Sequence, residues 1–101
     1  MMGRSVCRVG DSDAVHCSGP KRAGGSPNVF VNGLAISRQG DNNTTHQLPP
    51  FPPPNPCPVH AAPIAVGSLT VRINGKGCGR VGDSIAGCTV VASGSTNVFA
   101  G

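Results

Sequence analysis

Arg38-Gln39-Gly40-Asp41-Asn42-Asn43-Thr44-Thr45-His46 is the stretch around which the chain is organised, because it occurs three times in altered form. The first copy runs from Arg8-Val9-Gly10-Asp11 to His16 and the third from Arg80-Val81-Gly82-Asp83 to Cys88, each closing five residues past its Asp. Two His and one Cys thus share one slot of one repeated unit. Such a pattern is expected of a roughly threefold arrangement that delivers them to a common axis. A fourth candidate, His60, lies outside the repeat.

Upstream of the second copy, residues 25–41 read Gly-Ser-Pro-Asn-Val-Phe-Val-Asn-Gly-Leu-Ala-Ile-Ser-Arg-Gln-Gly-Asp, and residues 67–83 repeat the design at an offset of 42. Asn32-Gly33 and Asn74-Gly75, each between short apolar runs, predict two-residue hairpin turns, since a type I′ turn needs positive φ at both central positions. Alternation along the strands predicts that Val29, Val31, Val71 and Ile73 face the core while Phe30 and Arg72 face outward. A further half-copy, residues 94–101, stops where its turn should be. Aligning Arg8 with Arg38 makes residues 3–8 its missing second strand, so the third hairpin is expected to be split between the two ends of the chain, which should lie side by side.

At 101 residues, with fifteen Gly, ten Pro and only three aromatics, the composition predicts one all-β, turn-rich domain over residues 1–101 and argues against long helices. A domain this small buries a limited core and often needs a staple. The net charge of +4 arises from eight Lys and Arg against four Asp, with no Glu. The basic residues are scattered and three belong to the Arg-x-Gly-Asp repeat, so a nucleic-acid surface of clustered cations and stacking aromatics is not expected. Five Cys, an odd number, exclude a fully paired intrachain disulfide framework. No apolar run resembles a secretory signal or a membrane span, which predicts synthesis in the cytoplasm.

The linkers between units are unequal: His16 to Gly25, which carries Lys21 and Arg22; His46 to Gly67, rich in proline; and Cys88 to Gly94. The proline run from Leu48 to His60 predicts a stiff, extended surface loop, because proline restricts φ and supplies no amide donor.

Imidazole and thiolate ligands suit zinc, which is tetrahedral in structural sites. His16, His46 and Cys88 are the candidates drawn from the repeat, and His60 completes a closed shell, with Cys57 as its rival. Cys7 and Cys78, in matching strands, read as small buried hydrophobes, and Cys17 as a packing residue or disulfide partner. The carboxylates of Asp11, Asp41 and Asp83 read as turn residues paired with the Arg three positions earlier rather than as acid or base catalysts. A catalytic zinc needs an open position and normally a base such as Glu. No enzyme is therefore expected; the alternative is a small zinc hydrolase with a three-ligand open site.

Taken together, Gly25-Ser26-Pro27-Asn28-Val29, Asn32-Gly33 and Arg38-Gln39-Gly40-Asp41, their second copy from Gly67 to Asp83 and the half-copy from Gly94 to Gly101 resemble the PAAR-repeat proteins. These form the spike tips of type VI secretion systems and contractile phage tails. The resemblance covers nearly the whole chain. It implies a small cone with a threefold-like base, one structural Zn2+ near the apex held by His16, His46, His60 and Cys88, and docking on the blunt end of a homotrimeric β-helical spike. The Pro-Ala-Ala that names the family is absent: Ala35, Ile36 and Ser37 stand there in one copy and Gly77, Cys78 and Gly79 in the other.

Three pseudo-equivalent hairpins let a monomer cap a threefold object without gross mismatch, and Phe30, Arg72 and Phe99 are the candidate spike contacts. On this reading the chain acts as a tip alone. It meets a target membrane only transiently, binds any effector non-covalently, and works at the end of a phage tail or secretion spike.

Overall fold

The computed structural model describes residues 3–15, 19–45, 61–87 and 89–101. They are all-β. Six short strands, β1 (Arg4–Ser5), β2 (Phe30–Val31), β3 (Leu34–Ala35), β4 (Arg72–Ile73), β5 (Lys76–Gly77) and β6 (Phe99–Ala100), pair as three antiparallel hairpins. In the hairpins β2–β3 and β4–β5 the turn residues take positive φ, 55° and 79° at Asn32-Gly33 and 56° and 80° at Asn74-Gly75. This is the conformation the Asn-Gly dipeptides predict. The split hairpin is also present: β1 pairs with β6 in the register Arg4 with Ala100 and Ser5 with Phe99. The two ends of the chain therefore complete one unit of the repeat.

Above the hairpins the backbone closes a ring. The amide of Cys7 donates to the Gly79 carbonyl (3.0 Å), that of Gly79 to Ser37 (2.9 Å) and that of Ser37 back to Cys7 (3.0 Å). Cys7, Ser37 and Gly79 occupy the same slot of the three units, each just before the repeat Arg. A second threefold set holds two residues on and runs round the units in the opposite sense, where the amides of Val9, Gln39 and Val81 donate to Ala35, Gly77 and Ser5. Pseudo-threefold symmetry is thus written in the hydrogen bonds as well as in the sequence.

This ring divides the core. On the hairpin side Val6, Ile36, Cys78 and Ala100 are buried, with Val29, Val31, Ile73 and Val98 packed on them. On the other side lie Cys7, Ala62, Ile64, Ile85 and Val91, with Val81. Successive strand residues face opposite sides, so Val6, Ile36 and Cys78 serve one cluster while Cys7 enters the other. Val71 departs from expectation: it is 36% exposed and takes no place in the core. No helix among the described residues is long and apolar enough to cross a membrane.

Candidate functional site

Beyond the repeat Asp of each unit the chain builds a second ring of six short segments. Antiparallel bridges join Ser12 to Lys21, Arg22 to Asn43, Asn42 to Pro63, Ile64 to Ile85, Ser84 to Val90 and Val91 to Asp13, closing the circle. Because every neighbour runs antiparallel, alternate connections leave opposite ends. Val15 and Gly19, Thr45 and Ala61, and Gly87 and Thr89 therefore stand at one rim, and the chain runs to the hairpins from the other. The expected ligands His16, His46, His60 and Cys88, with the rival Cys57 and the neighbouring Cys17, lie outside the described residues. What the described residues supply is the rim, from which the three segments that contain the expected ligands all depart. Among the described residues no group of three or more His, Cys, Asp or Glu is placed to hold a metal.

Each repeat Arg-x-Gly-Asp is one local clamp. In Arg8, Arg38 and Arg80 both the backbone amide and the guanidinium donate to the carboxylate three residues on, with Nε to Oδ2 distances of 2.9, 2.8 and 3.1 Å. Side-chain pairing with Asp11 and Asp41 holds the guanidinium pKa of Arg8 and Arg38 above its ordinary value. The pairing of each Asp with the Arg three positions earlier, expected from the sequence, is present in all three units. Arg4 adds a second guanidinium to Asp83 at 2.9 Å.

A second set of contacts stitches each unit to the next. Asn74 at the tip of β4–β5 accepts from Ser26 Oγ (2.6 Å) and the Arg38 guanidinium (3.1 Å), and donates to Asn28 (2.9 Å). Asn32 repeats this with Ser95, Arg8 and Asn97. In the third junction the Gly101 carbonyl stands in for the asparagine and accepts from Ser68 and Thr70. The same Ser26, Ser68 and Ser95 hydroxyls cap the backbone amides two and three residues on.

Sequence reasoning missed Arg22. It reads as a linker cation, but its side chain is wholly buried in an ion pair with an equally buried Asp13. Its Nε donates to Asp13 Oδ1 at 3.0 Å and Nη2 to Oδ2 at 2.9 Å, while Nη1 donates to the Asp41 carbonyl at 3.1 Å. By ring position Arg22 corresponds to Ile64 and Val91, and Asp13 to Asn43 and Ile85. One third of this core is ionic where the rest is largely apolar. Asn43 accepts from the Ala62 amide at 2.8 Å.

Cys7 and Cys78 are buried free thiols, and burial pushes their pKa to about 12 and about 11. They stay protonated at neutral pH and serve as small apolar fillers. On the hairpins, Phe30 and Phe99 are 59% and 53% exposed and Arg72 is exposed, as expected of outward positions. No protein-family model matches the chain, and no curated protein matches it.

Proposed function

We propose that this chain is the zinc-stapled, cone-shaped tip of a contractile injection machine, a type VI secretion system or a phage tail. Its hairpin end would sit on a homotrimeric β-helical spike. The observation that carries this reading is the closed three-membered ring of backbone hydrogen bonds through Cys7, Ser37 and Gly79. A single chain whose three units are equivalent at the backbone offers each subunit of a homotrimer a similar surface, which a chain without internal symmetry cannot do.

The rim opposite the hairpins is where a staple would act. Three chain segments leave it, each containing an expected ligand, and the donor set of His16, His46, His60 and Cys88 suits zinc. The metal would supply a cross-link among segments that a small core holds weakly. Phe30, Arg72 and Phe99 would contact the spike. In this role the protein is a monomer with no enzymatic step and no nucleic-acid partner. It meets the target envelope only during piercing, and any effector is held non-covalently.

Elemental analysis of the purified protein beside Cys88→Ala and His60→Ala tests the staple. One zinc per chain, lost or accompanied by unfolding in both variants, supports it. A parent purified without chelator and free of metal removes it. Zinc retained by the His60 variant alone points either to Cys57 as the fourth ligand or to an open water position, and the latter reopens the hydrolytic alternative.

A further inference from the structure

At two of the three junctions between units an asparagine side-chain oxygen gathers the same pair of donors. Asn32 Oδ1 accepts from Ser95 Oγ at 2.6 Å and Arg8 Nη1 at 3.0 Å. Asn74 Oδ1 accepts from Ser26 Oγ at 2.6 Å and Arg38 Nη1 at 3.1 Å. Residue 101 holds the corresponding place at the third junction, and it is glycine. Its carbonyl takes the serine bond, from Ser68. Among the described residues nothing takes the arginine bond: Arg80 gives Nε and Nη2 to Asp83 and leaves Nη1 without an acceptor. There is also room for a side chain, because among the described residues a Cβ at Gly101 would meet only Thr70 Oγ1, in ordinary contact at 3.5 Å.

A second difference sits beside that opening. Arg4, opposite Ala100 in the register of β1 and β6, sends Nη2 to Asp83 Oδ1 at 2.9 Å, the oxygen that also receives Arg80 Nη2 at 2.8 Å. Two guanidinium groups thus lie side by side over one carboxylate, whereas Asp11 and Asp41 each pair with one. The Arg4 side chain is 48% exposed. At its position the other hairpins have Leu34 and Lys76. The third junction therefore lacks an acceptor and holds an extra cation.

We infer that this opening is a binding slot for a carboxylate supplied by a partner polypeptide. The group takes the place that the Asn side chain fills at the other two junctions: one oxygen accepts from Arg80 Nη1, and the negative charge meets Arg4. A carboxylate is the planar isostere of the carboxamide that the fold accommodates at those junctions, whereas a phosphate is tetrahedral and larger. The second guanidinium selects the anion over the neutral amide, and arginine is the side chain suited to planar carboxylate recognition. An acidic side chain and a C-terminal carboxylate present the same group. Only one of the three corners has the slot, so a partner read by it binds one copy per chain. The inference goes beyond the tip reading and depends on neither the metal nor the spike.

The test is titration of the 15N-labelled protein with acetyl-Gly-Asp-Gly-amide, followed at the arginine Nε–H resonances. It is run beside the Asn counterpart, acetyl-Gly-Gly-Gly with a free C-terminus, and inorganic phosphate. Saturating shifts at Arg80 and Arg4 are expected with the Asp peptide, the free C-terminus or both, and the tighter of the two identifies the source of the carboxylate. Gly101→Asn supplies the missing oxygen from the chain itself and should weaken binding about tenfold or more, the worth of a hydrogen bond to a charged group. Gly101→Ala adds bulk without an acceptor and should leave binding nearly unchanged. Arg4→Gln should weaken it roughly two- to fivefold, the span of an exposed ion pair, and salt should weaken it further. Residue 101 has room for a side chain and Arg4 is half exposed, so the variants retain the fold. Equal binding of the Asn peptide, tighter binding of phosphate, shifts that never saturate or that centre on Lys21 or Arg72, or no loss in Gly101→Asn would each overturn the inference. Zinc content moves with none of these outcomes, so the tip reading stands or falls separately.

Discussion

Replacing Arg22 by Ala is expected to destabilise this protein more than any other single loss of charge. The Arg22 and Asp13 side chains are both 0% exposed, so the substitution strands a carboxylate in a site that water does not reach. It also removes a donor from the Asp41 carbonyl. Breaking a buried pair from one side costs about 3–5 kcal/mol, a large part of the roughly 5–15 kcal/mol that holds a domain of this size. At about 4–8 °C per kcal/mol the midpoint should fall by at least about 12 °C.

The repeat suggests the compensating change, since Ile85 and Ile64 stand where Asp13 and Arg22 do. The double variant Asp13→Ile with Arg22→Ile should return to within about 2 kcal/mol of the parent, because a buried pair replaced by apolar side chains is often neutral. Urea denaturation followed by far-ultraviolet circular dichroism at saturating zinc, run as a double-mutant cycle, measures both terms. A cost for Arg22→Ala below about 1 kcal/mol, the range of an exposed ion pair, would refute the reasoning. So would a double variant no more stable than the single one.

Three further outcomes follow from the junctions and the core. Asn74→Gly keeps the positive φ but loses the bonds to Ser26, Arg38 and Asn28, costing about 1–3 kcal/mol; Asn74→Ala should cost about 1–2 kcal/mol more, as read from paired urea midpoints. Gly79→Ala would place a Cβ 2.6 Å from Cys7 Sγ and 2.7 Å from the Ser37 carbonyl. It should destabilise by about 1–3 kcal/mol or more, and a second change Cys7→Gly should leave much of the loss, because the carbonyl cannot withdraw without breaking the ring. Burial raises the Cys7 and Cys78 pKa from 9.0 to about 12 and about 11. The stability they contribute is full below pH 9 and is lost as pH rises toward those values, so unfolding measured from pH 8 upward should show a decline that Cys78→Ala makes shallower.

The repeat carries most of the architecture in plain view. Asn32-Gly33 and Asn74-Gly75 specify hairpins because few other dipeptides accept positive φ at both turn positions. The match of residues 3–8 to the end of another hairpin places the two chain ends together before any coordinates are known. The Arg-x-Gly-Asp clamps are also legible, since their partners are three residues apart and the contact is local. Outward Phe30, Arg72 and Phe99 follow from alternation, whereas Val71, at the mouth of its hairpin, does not.

Contacts between units could not be read this way. Asn74 is both a turn residue and the acceptor for Ser26, 48 positions away, and only the turn role leaves a local trace. Arg22 sits in a return segment whose preceding loop differs in length from its counterparts, so alignment loses the register that would have set it beside Ile64 and Val91. A lone arginine in a linker is ordinarily solvated; only the closing of six segments into a ring takes it out of water and makes its pairing with Asp13 obligatory. The hairpins and their threefold order could be read from residue order, because each rests on local backbone preference or on repetition. Tertiary structure alone decided which polar groups are buried, which depends on segments that meet only when the ring closes.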